Sequence, residues 1–239
     1  MGTAYVQAFP HDPIERLFDD VYWVHGSFKV APGIGINRNM VVLRHDGDLT
    51  LLNPLRLDDE GERALGELGD VKHIVRIGYF HGCDDPYYVD RHGAKLWAQQ
   101  GSDLFPDGPK PDEILQRGGA FPVPDSEVFL FHDTNKPECA ILHRPNGGLL
   151  VTCDAVQHHV DMSNCTFLAR GVLRVMGFMR PMNIGPPWRK RMTPQGGSLK
   201  ADFDRLLELD FDHAVGAHGS VCRGGANAEL EATVRDVYG

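Results

Sequence analysis

Residues 79–90 read YFHGCDDPYYVD, directly after the apolar run VKHIVRI at 71–77. The run is short, rich in β-branched residues and bounded by a polar loop, which reads as a buried strand. The loop leaving it offers Tyr79, His81, Cys83, Asp84 and Asp85 before the first proline, Pro86. Two readings compete for these residues. Histidine, cysteine and aspartate on a loop held by a rigid strand are metal-ligand types. Aspartate followed by proline is also an ordinary helix start, the carboxylate serving as N-cap and the proline taking the first helical position. On that second reading Asp85 caps a helix running through DPYYVDRHGAKLWAQQ, 85–100. Asp84 stands between ligand and second cap, and Cys83 reads first as a small packed residue.

The segments before the strand form a pattern. Residues 39–55, NMVVLRHDGDLTLLNPL, are two β-rich runs joined at Asp46-Gly47, a hairpin signal. DDEGERALGELG at 58–69 follows, a helix with an acidic start and a closing cap at Gly69. The second half repeats this order. CAILHRPNGGLLVTCDA, 139–155, is a hairpin turning at Asn146-Gly147; LKADFDRLLELD, 199–210, is an amphipathic helix; FDHAVGAHG, 211–219, is a strand running into a loop. Both halves end in His-Gly, at His81-Gly82 and at His218-Gly219. Two αβ halves packed face to face bring their strand-end loops to one edge. The chain reads as a single domain over 1–239, with an insertion at about 155–197 rich in Met, Pro and Arg.

Composition narrows the function classes. A chain of 239 residues buries a sizeable core without staples. Its formal charge of −9 repels nucleic acid, which is therefore not an expected partner. The five cysteines are scattered with no C-x-x-C pair, which predicts a reducing compartment. Residues 1–20 lack the basic start and apolar centre of a signal peptide, and Arg170, Arg174 and Arg180 interrupt the best membrane-span candidate. The expectation is a soluble, cytoplasmic protein with a small-molecule substrate.

Three loops supply ligand types: the loop of 79–85, the loop after GGLLVTC with Asp154, His158, His159 and Asp161, and the loop of His218. Asp154 carries the most information, because a carboxylate ending an apolar strand is costly to bury without a cation or hydrogen-bond donors. In this order of strand, histidine-bearing loop, aspartate after LLVTC and a late AVGAHGS, the chain resembles the metallo-β-lactamase superfamily over roughly residues 35–225. The resemblance implies an α/β fold, a four-layer αββα sandwich, and a metal-dependent hydrolase. The family's His-x-His-x-Asp-His motif falls on Tyr79-x-His81-x-Cys83-Asp84 and keeps His81 alone. A further family histidine falls on Asn135, with His132 as a nearby substitute. The carry-over is His81, Asp154 and His218, with Asp84 in place of a histidine and Cys83, His132, Asn135 and His159 as additional candidates.

This set suits one divalent ion, Zn²⁺ first and Fe²⁺ or Mn²⁺ as alternatives. Asp84 or Asp85 is the expected base beside an activated water. The substrate expected from the family is a small ester, lactone, amide or phosphoester. Two other classes fit the same residues: a ligand-binding or regulatory protein that kept the fold after losing ligands at Tyr79 and Asn135, and an iron oxidoreductase. Residues 166–182, TFLARGVLRVMGFMRPM, have helical apolar spacing. They predict a covering helix packed on the sandwich or on a second copy in a homodimer. A sharper reading makes Met176, Phe178 and Met179 the wall of an apolar pocket beside the metal, with Tyr79 among the pocket residues and Arg180 or Arg189 receiving an anionic substrate. WRKR at 188–191 reads as a solvated loop.

Overall fold

The hydrophobic alternation of residues 40–43 already requires two cores: Met40 and Val42 pack on one side of their strand, Val41 and Leu43 on the other. The computed structural model describes residues 5–102, 104–178 and 180–239. Among these, the first sheet contains β1 (Glu15–Phe18), β2 (Val21–Ala31), β3 (Ile34–His45), β4 (Asp48–Leu52), then α1 (Asp59–Leu68) and β5 (Asp70–Arg76). After α2 (Asp85–His92) come β6 (Lys95–Ala98) and β7 (Glu113–Ile114), completing a seven-stranded sheet in sequential order. The strands β1 to β4 are antiparallel neighbours, and β4 to β7 are parallel.

The second sheet draws on β8 (Ser126–Leu130), β9 (Cys139–His143) and β10 (Leu149–Val151). There follow β11 (Val156–His158), α3 (Phe167–Val175), β12 (Met182–Ile184), α4 (Pro186–Met192) and α5 (Lys200–Leu207). The chain ends with β13 (His213–Val215), β14 (Cys222–Arg223) and α6 (Ala226–Tyr238). The second sheet has the order β14-β13-β10-β9-β8, and β11 and β12 form a separate ribbon.

Three cores define four layers. Val41, Leu52 and Val75 of the first sheet meet Ile141, Leu149, Val151 and Val215 of the second in the central core. The opposite face of the first sheet, with Val42, Leu51 and Ile74, is covered by Leu65 of α1 and Tyr88 of α2. The opposite face of the second, with Leu142, Leu150 and Ala214, is covered by Trp188, Phe203, Leu206 and Leu230 from α4, α5 and α6. The expected αββα sandwich is thus the observed one, and the repeated halves are visible in it. Each hairpin, β3–β4 and β9–β10, places its second strand parallel to a later strand reached through helix, β5 after α1 and β13 after α5.

Local chemistry sets the joints. Asp46 and Gly47 both adopt positive φ at the β3–β4 turn, as an Asp-Gly hairpin turn requires. Asp58 caps α1 by accepting from the backbone N–H of Glu60 and Gly61. Gly69 closes α1 against the carbonyl of Gly47, where an added Cβ would lie 2.1 Å from that oxygen.

The helix expected over 85–100 is shorter. Gly93 turns left-handed with φ 65°, its N–H bonding Val89, and ends α2 at His92. Leu96, Trp97 and Ala98 are all buried and pair with β5, because a parallel strand covered on both faces needs apolar residues at successive positions.

Candidate metal centre

The two sheets are stitched together at one edge by polar backbone contacts, and the site lies there. Cys139 N–H donates to Ile77 O, Asn39 N–H to Ala217 O, and Asn53 Nδ2 to Thr152 O. Three loops leave this edge, after β5, β10 and β13. They bring His81, Asp154 and His218 together with ligand atoms within 4.8 Å of one another. His81 Nε2 is 3.6 Å from Asp154 Oδ2, and His218 Nε2 is 3.4 Å from Asp154 Oδ1.

The protonation pattern leaves this cluster short of positive charge. His218 Nδ1 lies 2.6 Å from the carbonyl of Asn37, which can only accept, so Nδ1 carries the proton and Nε2 presents a lone pair toward Asp154. Burial lowers the His218 imidazole to about 4, outweighing the attraction of Asp154. Burial works to raise the Asp154 carboxyl, yet His81 first and His218 next hold it at about 2. A neutral imidazole lone pair therefore faces an ionised carboxylate, an arrangement that a shared cation satisfies. Two nitrogens and one carboxylate form a donor set able to hold a metal ion, and the Asn37 carbonyl orients the His218 ring.

The other predicted residues lie elsewhere. Asp84 is buried and paired with Arg38, 2.6 Å from Nη1, and stands outside the three-residue cluster. Asp85 is not the cap: the N-cap position belongs to Asp84, without a side-chain bond to the helix, and Asp85 is a buried first-turn residue 2.7 Å from Arg76 Nε. Two arginines thus take the carboxylates expected to supply a ligand and a base. The reason is burial, since an ionised carboxylate enclosed in the fold requires a paired donor. Cys83 Sγ accepts from Arg38 Nη1 at 3.3 Å.

His132 is exposed, and its backbone N–H donates to Asp202. Asn135 pins the end of α4, donating from Nδ2 to Arg191 O and Thr193 O. Tyr79 stacks edge-on with Phe80 and lies under Lys136.

A cavity of about 320 Å³ adjoins the cluster, lined by Asp154, His218 and His159 together with Phe80, Phe178 and Trp188. Its outer wall is α3, through Val172, Leu173 and Met176. Thr166 anchors that helix to the β2–β3 turn, accepting from Gly35 N and donating to Gly33 O. Met176 and Phe178 line this cavity, while Met179 lies outside the described residues. Arg180 instead pairs with Asp236 at the surface, and Arg189 faces a different depression. The cation beside the cavity is Arg191, over the Phe80 ring at 5.6 Å. WRKR is thus the body of α4 and not a solvated loop, with Trp188 in the core. The apolar Trp188 and Met192 four apart, with the basic Arg189, Lys190 and Arg191 between them, were the available signal of a short amphipathic helix.

His159 is held by a relay to the cluster. Gln157 Nε2 donates to Asp154 Oδ1 at 3.3 Å, and Gln157 Oε1 lies 2.8 Å from His159 Nε2. Burial lowers His159 to about 4, so it is a neutral ring whose buried Nδ1 has no protein partner.

No family model matches the chain, and no curated protein matches it. Solved structures do. The metallo-β-lactamase DIM-1 superposes with a TM-score of 0.69 at 8% identity, covering 97% of this chain and 100% of its own. VMB-1 gives 0.68 at 10%, covering 98% and 100%. The metallo-β-lactamase FIM-1 from Pseudomonas aeruginosa, in a mono-zinc form, gives 0.63 at 9%, covering 98% and 99%. The chain has the metallo-β-lactamase fold. Among the described residues, no helix is long and apolar enough to cross a membrane.

Proposed function

We propose that this chain is a metal-dependent hydrolase acting on a small, mainly apolar molecule with one anionic group, through a single divalent ion held by His81, Asp154 and His218. The observation that carries this reading is the His218 Nε2 lone pair facing the ionised Asp154 at 3.4 Å, with the Asn37 carbonyl fixing the tautomer. A divalent ion with an open position supplies Lewis acidity toward an acyl or phosphoryl oxygen and acidifies water.

The protein's own residues define the rest of the site. Phe178, Trp188 and Leu173 give the cavity an apolar wall, and Arg191 receives an anionic group at its edge. The His159–Gln157 relay holds the Asp154 carboxylate in one orientation. Zn²⁺ is the first choice of ion. Two histidines and one aspartate also form the donor set of non-haem iron oxygenases, and this favours an iron oxidoreductase as the second reading.

Elemental mass spectrometry on untagged protein purified without added metal, with an esterase, lactonase and phosphodiesterase panel, tests both. Asp154→Ala and His218→Ala are expected to lose one metal equivalent together with turnover. Iron with oxygen-dependent turnover moves the assignment to the second reading. Folded variants that keep the parent's metal content and turnover overturn the site.

A further inference from the structure

A second set of ligand atoms lies at the end of β11. His158 at the end of β11, Cys222 in β14 and Glu229 in the first turn of α6 bring a ring nitrogen, a thiol and a carboxylate within 4.8 Å of one another. Sequence alone separates them by up to 71 positions, and none belongs to the site above.

The hydrogen bonds around His158 prepare it as a ligand. Ser220 donates its hydroxyl proton to the carbonyl of His158 at 3.1 Å, while its Oγ also lies 3.1 Å from His158 Nδ1. With its one proton committed, the hydroxyl oxygen accepts there, so Nδ1 carries the ring proton and Nε2 is left with a lone pair. That lone pair lies 3.8 Å from Glu229 Oε2. Glu229 Oε2 is itself shielded from solvent and has no hydrogen-bond partner. A carboxyl oxygen with no donor, facing an imidazole lone pair, is an arrangement that a shared cation satisfies.

The backbone holds the ring in place. Ser220 N–H donates to His158 O at 2.7 Å, and a Cβ on Gly219 would lie 2.2 Å from that same oxygen, so only glycine permits the approach. Cys222 is 3% exposed, whereas the Glu229 side chain is 42% exposed, leaving a route for an ion and a position for water.

We infer that His158, Cys222 and Glu229 bind a second, structural divalent ion, with Zn²⁺ the expected occupant. One sulfur, one nitrogen and one oxygen with an outward fourth position suit Zn²⁺ and disfavour the all-oxygen preference of Mg²⁺ or Ca²⁺. Binding replaces the Cys222 thiol proton, which leaves to solvent, by a metal–sulfur bond. The ion ties β11 to β14 and α6. Because His159 is the next residue, it also steadies one wall of the cavity.

The test is a titration of chelator-stripped, reduced protein with Co²⁺ and with Zn²⁺ in an Asp154→Ala, His218→Ala background. One equivalent is expected to bind, with sulfur-to-cobalt charge-transfer absorption and a higher Tm. Cys222→Ala is expected to abolish the absorption, and Ser220→Ala to weaken affinity roughly 10–100-fold. Should the background fail to fold, the same absorption is read in otherwise unaltered protein. There Cys83→Ser must retain it and Cys222→Ala must lose it. No thiolate absorption, or absorption that survives Cys222→Ala, overturns the inference and leaves an ordinary His158–Glu229 contact. The readout is independent of turnover, so it separates this site from the first.

Discussion

Arg38 and Asp84 form a buried ion pair, Nη1 to Oδ2 2.6 Å, with both side chains 4% exposed. Arg38 also donates to the carbonyl of Pro54 and to Cys83 Sγ, so the pair joins β3 to the loop of His81. Removing only the cation strands a buried carboxylate. Arg38→Met is expected to cost about 3–5 kcal/mol in denaturant unfolding. Asp84→Asn is expected to keep the parent's metal content, since Asp84 stands outside the cluster; loss of an equivalent from the folded variant would return it to the ligand set.

Arg191 is the cation beside the cavity that holds the candidate ligands. Replacing it by glutamine removes one charge-assisted contact to an anionic substrate, about 1.5–3 kcal/mol. Once a substrate is found, Arg191→Gln is therefore expected to raise KM roughly tenfold to a hundredfold, with kcat and metal content retained. An unchanged KM for anionic substrates places their recognition elsewhere.

His73 accepts at Nδ1 from the indole N–H of Trp97 at 3.0 Å. Burial lowers its pKa from the ordinary value near 6.5. The unfolded chain therefore takes up the proton first as pH falls. The stability His73 contributes is complete above about pH 6.5 and is lost as pH drops through the folded-state value. An NMR titration of the His73 ring checks the sign; a midpoint at or above the ordinary value contradicts it.

Gly78 sits where the sheets meet, paired with Glu138 across an isolated bridge. An added Cβ would lie 2.6 Å from Cys153 Sγ and 2.9 Å from Glu138 Oε2. Gly78→Ala is expected to destabilise the protein by about 1–3 kcal/mol through overpacking. A variant as stable as the parent in urea would show that this junction has slack.

Periodicity and turn chemistry were enough to read both hairpins, the helices after them and the strands that follow, because alternation and Asp-Gly or Asn-Gly turns act within a few residues. His81, Asp154 and His218 came as candidates from the family resemblance, helped by each following a recognisable strand, and the fold brings those strand-end loops to one edge. What the local pattern could not carry was the allocation of charge. Asp84 and Asp85 look equivalent to a ligand in the sequence, and only packing brings Arg38 and Arg76 onto them.

The same limit governed α2 and α4. A left-handed Gly93 and a vacant place beside β5 turned the expected helical end into strand β6, and the burial of Trp188 made WRKR a pocket helix. Sequence by itself determined the two hairpins and the helix and strand that go with each, through interactions between near neighbours, while the family resemblance supplied His81, Asp154 and His218 as candidate ligands. Tertiary structure alone decided which cations neutralise which carboxylates, which arginine faces the cavity, and that His158, Cys222 and Glu229 meet. Those outcomes depend on burial and on distances between residues far apart in the chain.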